Sequence, residues 1–183
     1  MKTLELTKTK WTIDQTHSEI AFRVKHLMFS NVRGKFRDFN AHIYMTGGDF
    51  STAEVDVRIN PASIDTGTEA RDKHLRSGDF LDTDNFNEIS FVSDSLTSTD
   101  KGRNFEMIGK LRMKGVTRPV NLDIEFGAFV KDSWGVEKVL FSVTGKINRK
   151  EWGLDYHALL ETGGLVVGEE VHILCVVQLI KQA

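Results

Sequence analysis

Val116-Thr-Arg-Pro-Val120-Asn-Leu122-Asp-Ile124-Glu-Phe126-Gly-Ala-Phe-Val130 is the stretch on which the fold turns. Val120, Leu122, Ile124 and Phe126 alternate with Asn121, Asp123 and Glu125. A period of two puts the apolar side chains on one face and the polar ones on the other. A helix would scatter the same residues around its circumference, so the segment reads as an antiparallel strand with one wet face. The pattern recurs: Ile20, Phe22 and Val24 alternate with Glu19, Arg23 and Lys25, and Val55, Val57 and Ile59 with Glu54, Asp56 and Arg58. Leu111 and Met113 stand between Lys110, Arg112 and Lys114. Strands are expected near 10–13, 19–26, 31–45, 53–60, 88–98, 104–113, 116–130, 136–147 and 170–181. Turns at Thr46-Gly47-Gly48-Asp49, Asp100-Lys101-Gly102-Arg103 and Asp132-Ser133-Trp134-Gly135 separate several of them. Long strands with short turns make an all-β antiparallel meander, and about eight of them invite closure into a barrel, which removes exposed edges.

Three segments depart from this pattern. Thr66-x-x-Glu69 has the form of a capping box and Gly78 that of a stop, so a helix is expected over 67–77. Glu69/Lys73 and Asp72/Arg76 are favourable i,i+4 pairs on it. Its only apolar residues are Ala70 and Leu75, so it belongs over an opening or along the outside. Asn148-Arg149-Lys150-Glu151 before Gly153 suggests one helical turn. The last strand is apolar on both faces, with Val171, Ile173, Cys175, Val177 and Leu179 on one and Leu174, Val176 and Ile180 on the other. Packing under the N-terminal segment is the plainer explanation, a dimer contact the sharper one.

Composition narrows the function. The 183 residues fit one domain over 1–183, with 1–9 expected as a flexible N-terminal segment. Lys and Arg number 24 against 26 Asp and Glu, a net charge of -2, which argues against a nucleic-acid partner held by bulk charge. The single cysteine, Cys175, excludes an intrachain disulfide and any multi-cysteine metal site. The first eleven residues lack the apolar core of a signal peptide. No apolar run reaches the ~18–20 residues of a membrane span. The chain as given therefore reads as cytoplasmic, or periplasmic if a leader has been removed.

Catalytic signatures are missing. There is no His-Glu-x-x-His, no Cys-x-x-Cys and no Gly-x-Ser-x-Gly. Gly163–Gly168 lacks the Lys-Ser/Thr of a phosphate loop and runs into Glu169-Glu170, so a flexible connection is the better reading. The histidines at 17, 26, 42, 74, 157 and 172 have no metal-ligand spacing. No metal, no required cofactor and no catalytic residue are expected. Charge patterning says more. Residues 22–37 carry Arg23, Lys25, Arg33, Lys35 and Arg37 without an acid. Residues 101–118 carry six basic residues against Glu106 alone. Such an outer wall serves solvation and edge protection, or transient contact with an anionic membrane surface.

At this point a family resemblance enters. Trp11-Thr-Ile-Asp14 with His17-Ser18-Glu-Ile-Ala-Phe22-Arg-Val-Lys-His26 resembles the first two strands of the YceI-like, polyisoprenoid-binding proteins. Val32-Arg-Gly34-Lys-Phe36 with Phe39 is similar to the third. The most specific piece runs from Asn60-Pro-Ala-Ser63-Ile-Asp65-Thr66 through Glu69-Ala-Arg71-Asp72-Lys-His74-Leu75-Arg76-Ser-Gly-Asp79-Phe80-Leu81. Gly115-Val-Thr117-Arg-Pro119-Val120, Gly145-Lys-Ile147-Asn148-Arg149, Gly153-Leu154 and Gly168-Glu-Glu170-Val171 complete it. Asn87 and Trp152 depart from it, standing where the family commonly has proline and phenylalanine.

The resemblance implies an elongated eight-stranded, lipocalin-like antiparallel barrel. Its lumen would hold a polyprenyl, quinone-like or fatty-acyl lipid without catalysis, often in a homodimer and in the setting of a bacterial stress response. Ile20, Phe22, Val24, Phe36, Val57, Ile59, Phe91, Leu111, Leu122, Ile124, Phe126, Phe141, Val143 and Ile147 are then the lining. The same residues would equally fill a solid core. Arg71, His74, Asn148 and Arg149 are candidates for the lipid head group, since a guanidinium offers a bidentate fork to an oxyanion. Alternatively, Arg71, Asp65 and Asp72 would form an ion-pair network pinning the helix. Two other functions stay open: an interaction module with a packed core and no small ligand, and an enzyme acting on an isoprenoid.

Overall fold

The computed structural model describes residues 7–158 and 166–183. The strands, in chain order, are β1 (Lys8–Ile13), β2 (Glu19–His26), β3 (Ser30–Phe36), β4 (Phe39–Thr46), β5 (Asp49–Ile59), β6 (Ile64–Asp65), β7 (Ile89–Ser98), β8 (Asn104–Met113), β9 (Val116–Lys131), β10 (Glu137–Asn148) and β11 (Val167–Lys181). Helix α1 (Glu69–Arg76) lies between β6 and β7, and 3-10 turns occupy Pro61–Ser63 and Arg149–Trp152. Eight strands close the barrel in the order β1-β4-β5-β7-β8-β9-β10-β11, with β11 pairing back to β1. All pairings are antiparallel. At ~3.3 Å per residue the 16 residues of β9 run for roughly 50 Å.

β11 has two neighbours along one edge. Leu179–Lys181 pair with β1, whereas Val167–Val176 pair with β2, from which the sheet continues through β3 to β6. The barrel therefore has unlike ends. At the β1 end the strands close on each other. At the other end no ladder joins β6 to β7 among the described residues, and α1 with the segment after it, through Leu75, Phe80 and Leu81, contributes to the inner surface instead.

The expected unbroken strand over 31–45 is split at Arg37-Asp38, because its halves serve different neighbours: β3 pairs with β2, and β4 with β1 and β5. Main-chain bonds hold the bend, from Arg37 N–H to the Ser63 carbonyl at 3.2 Å and from Asn60 N–H to the Asp38 carbonyl at 2.9 Å. Alternation along one strand carries no record of which partner it meets.

The helix is shorter than 67–77, and its cap is not the expected one. Thr68 occupies the N-cap position without a side-chain cap bond. Thr66 instead gives both its N–H and its hydroxyl to Oδ1 of Asp72, at 2.9 and 2.6 Å. Asp72 is 4% exposed and committed to Thr66, while Arg76 reaches Glu69 at 3.4 Å, so neither expected i,i+4 ion pair forms. Ser77 is the C-cap, and Gly78 does not take a left-handed conformation. The turn after β10 does form: Asn148 accepts from Lys150 N–H, and Gly153 closes it at φ 74°.

The N-terminal expectation is corrected in part. Lys8 and Thr9 pair with Thr46 and Met45 and belong to β1, while residues 1–6 lie outside the described residues. The Gly163-Gly164 connection also lies outside them. On the outer face of β11, Val176 remains 56% exposed; β1 runs along the strand's edge and does not cover that face.

Candidate functional site

A cavity of about 520 Å³ runs through the barrel and falls in the size range of small-molecule pockets. Every expected lining residue except Phe126 faces it. Phe126 does not border the cavity; it packs in an interior aromatic cluster, with ring centroids 5.7 Å from both Phe50 and Phe141. Period two places it on the inner face, where it packs into the apolar cluster of the β1 end instead of bordering the open space. The cavity also takes Ile43 and Met45 from β4 and the face of β11 bearing Ile173, Cys175 and Val177. The sequence marked that face of β11 as continuous, yet gave no sign that it pointed inward.

The space depends on glycines beneath lining side chains, Gly109 under Phe91 and Gly34 under Phe22 among them. A Cβ at Gly34 would meet the Phe22 ring at 2.3 Å, so the Phe22–Gly34 cross-strand pair lets the ring lie flat on β3. Cys175 lines the cavity between β2 and β10, and burial pushes its thiol up to about 11, the opposite of an activated nucleophile.

Polar groups gather at the α1 end. Arg149 is 3% exposed and faces the cavity. Its Nε donates to the Gly168 carbonyl at 2.9 Å, and its terminal nitrogens donate to the carbonyls of Leu154 and, at 3.4 Å, Val167. Its guanidinium lies 5.9 Å from the centre of the Phe80 ring. Among the described residues no carboxylate pairs with it directly; Glu169 goes to Lys150 at 2.7 Å. Desolvation lowers the pKa of Arg149, with the charges of Glu169 and Asp155 opposing the shift.

Arg71 reaches Thr66, with Nε 2.7 Å from its hydroxyl and a terminal nitrogen 2.9 Å from its carbonyl. Asp65 pairs with Arg37, and Asp72 with Thr66. The expected Arg71-Asp65-Asp72 ion-pair network is therefore replaced by a hydrogen-bonded cluster centred on Thr66. His74 contacts Oδ2 of Asp79 at 2.8 Å, and its ring packs edge-on against Phe80 and Tyr156 at 5.1 and 4.8 Å. Arg71, His74 and Arg149 thus meet at one end of the lumen, together with Tyr156, which sequence reasoning missed for want of a periodic signal. Asn148 does not join them: it caps the 3-10 turn and lies off the cavity.

A YceI-like domain model matches residues 11–179. The chain belongs to the YceI-like family. Its relatives include a UPF0312 protein of Staphylococcus aureus strain USA300, 40% identical over 89% of this chain and 92% of that protein. Among solved YceI-like structures, the Campylobacter jejuni YCEI protein aligns over the whole of both chains with 28% identity and a TM-score of 0.75. Burkholderia cenocepacia BcnA shares the fold at a TM-score of 0.78 and 19% identity, over 91% of this chain and 98% of its own. A polyisoprenoid binding domain from Saccharophagus degradans, implicated in plant cell wall breakdown, shares it at 0.70 and 12%, covering 92% of this chain and 97% of its own. These neighbours share the antiparallel barrel fold, as the sequence led one to expect.

Proposed function

We propose that this protein binds one long-chain amphiphilic lipid, a polyisoprenoid or fatty-acyl derivative, in the barrel lumen and stores or carries it without chemical change. The observation that carries this reading is the apolar cavity of about 520 Å³ with its cationic groups collected at one end. Such a space accepts a hydrocarbon chain along its length and a phosphate or carboxylate beside Arg149 and Arg71. Each buried methylene contributes about 0.8 kcal/mol before ordering costs, so affinity rises with chain length until the lumen is full. The Saccharophagus domain named for polyisoprenoid binding supports the same ligand class.

The non-catalytic part rests on the state of the polar groups. Arg71 and Arg149 are held mainly by carbonyl and hydroxyl oxygens, and the one cavity thiol is protected from ionising. With this reading go two sequence expectations, a cytoplasmic location and a homodimer, tested by fractionation and analytical ultracentrifugation.

Native mass spectrometry of freshly purified protein, followed by solvent extraction, tests the function. The expected result is a one-to-one adduct that extracts as a prenyl or acyl lipid and is unchanged after incubation. A bare mass that also fails to titrate with prenyl and acyl chains of graded length sinks the reading. Slow alkylation of Cys175 that slows further on loading would confirm the lumen as the place of binding.

A further inference from the structure

The β2–β3 hairpin ends on three large apolar residues in water. Leu27, Met28 and Phe29 are 46%, 64% and 90% exposed. Leu27 and Met28 sit at φ 53° and 60°, left-handed values that bulky side chains resist. Phe29 N–H closes the turn on the His26 carbonyl at 3.2 Å. Two other hairpins of the same sheet use positive φ at both central residues and include glycine: Gly47-Gly48 between β4 and β5, and Lys114-Gly115 between β8 and β9. Folding alone favours Asn-Gly at such a position, not Leu-Met. The apolar side chains at this tip stabilise nothing inside the barrel, which points to a partner outside it.

The surroundings of the tip indicate which partner. Arg23, Lys25, Arg33, Lys35 and Arg37 flank it with no acid between residues 20 and 37. Lys35 and Arg37 reach Glu19 and Asp65, while Lys25 and Arg33 form no ion pair among the described residues. The acids at the start of neighbouring β11 are matched, Glu169 to Lys150 and Glu170 to Lys146. The exposed apolar patch at the opposite end, Phe129 with Trp134, has acids close by as well as bases: Asp132 pairs with Lys138 and Glu137 with Lys181, beside Lys131. The β2–β3 tip thus sets three consecutive exposed apolar side chains between strands that carry five basic residues and no acid from 20 to 37. An anionic bilayer surface accepts that combination, taking apolar side chains below its headgroups and leaving cations at the phosphate plane. The same hairpin lines the polar end of the cavity through His26 and Val32.

We infer that Leu27, Met28 and Phe29 form an insertion finger that docks the Arg149 end of the lumen on an anionic lipid bilayer. The inference goes beyond lumen binding, since an empty barrel docks equally well. Its test uses the full chain carrying Cys175→Ser and Met28→Cys, labelled at position 28 with an environment-sensitive fluorophore. Flotation is compared on vesicles of phosphatidylcholine alone and with about one-third phosphatidylglycerol. The labelled protein should float with the anionic vesicles only, its emission should shift to the blue, and added salt should weaken both effects. A label at Ser133→Cys should stay in water.

L27N/M28G/F29S introduces the turn residues this backbone prefers, so it should melt no lower than the parent. It should lose about tenfold or more of the vesicle partition, and K25E/R33E a comparable share. Three results overturn the inference: a position-28 label that stays in water on anionic vesicles, equal flotation of parent and triple variant, or a lipid-free dimer that the triple variant abolishes. The last would make the tip a contact between copies of the chain.

Discussion

The two ends of the barrel are built on different principles. At the β1 end, β11 returns to β1, and the interior is finished by Trp11, Met45, Val139 and Leu179, each at most 5% exposed, with the Phe50-Phe126-Phe141 cluster beside them. Ladder bonds satisfy the backbone there, so the side chains can be wholly apolar. At the other end the ladder stops at β6, and side chains take over the task. Arg149 supplies donors to three carbonyls, Asp72 ties Thr66 to α1, and Trp152 donates from Nε1 to the Leu111 carbonyl at 3.0 Å. A barrel that fails to close by pairing needs polar side chains there, and so acquires a charged end on an otherwise apolar lumen.

Substitutions can break this contrast. Trp152→Ala should have the largest effect: the side chain is 1% exposed and bonded, so about 3–5 kcal/mol of stability should go, measured by denaturant unfolding. Met45→Ala, at the paired end, should cost about 2–5 kcal/mol yet leave the preference for charged over neutral lipid heads intact. Arg149→Met should cost about 2–4 kcal/mol, because buried carbonyls lose a charged donor, and should abolish that preference. If Arg149→Met leaves head selectivity unchanged, the difference between the ends is structural only.

Smaller effects sharpen the comparison. Ile173→Trp adds bulk to a lining position; in a packed core overpacking costs about 1–3 kcal/mol, whereas in a hollow lumen the cost should stay below about 1 kcal/mol while lipid stoichiometry falls. Leu27→Asn with Met28→Gly should gain about 1 kcal/mol by relieving the left-handed strain, read as a raised unfolding midpoint. The smallest effect is acid-dependent. The Gly67 N–H, then the Arg37 guanidinium, hold Asp65 below its ordinary pKa. That stability is present above about pH 4 and is lost as the pH falls through the lowered value, so Asp65→Asn should flatten the acid limb of a stability profile.

Much of this was legible beforehand for a physical reason. Alternation in β9 or β2 is a local property of a chain that must wet one face and bury the other, and it put all but one of the expected lumen residues in place. Phe126 does not border the cavity because it is packed against Phe50 and Phe141, which come from other strands. Thr66 failed as a cap because Asp72, six residues on, competes for its hydroxyl. Asn148 was adjacent to the site in sequence but was used up by its own turn.

The sequence by itself determined most of the strands, the inner faces of those that alternate, the all-β class and the one-sided charge of residues 20–37, since periodicity and composition are carried by each segment alone. Only the tertiary structure decided that β11 divides its edge between β1 and β2, and that Arg71, His74, Arg149 and Tyr156 share one end of a hollow lumen. Closure, hollowness and the meeting of distant side chains depend on pairings between segments far apart in the chain, and no single segment holds that information.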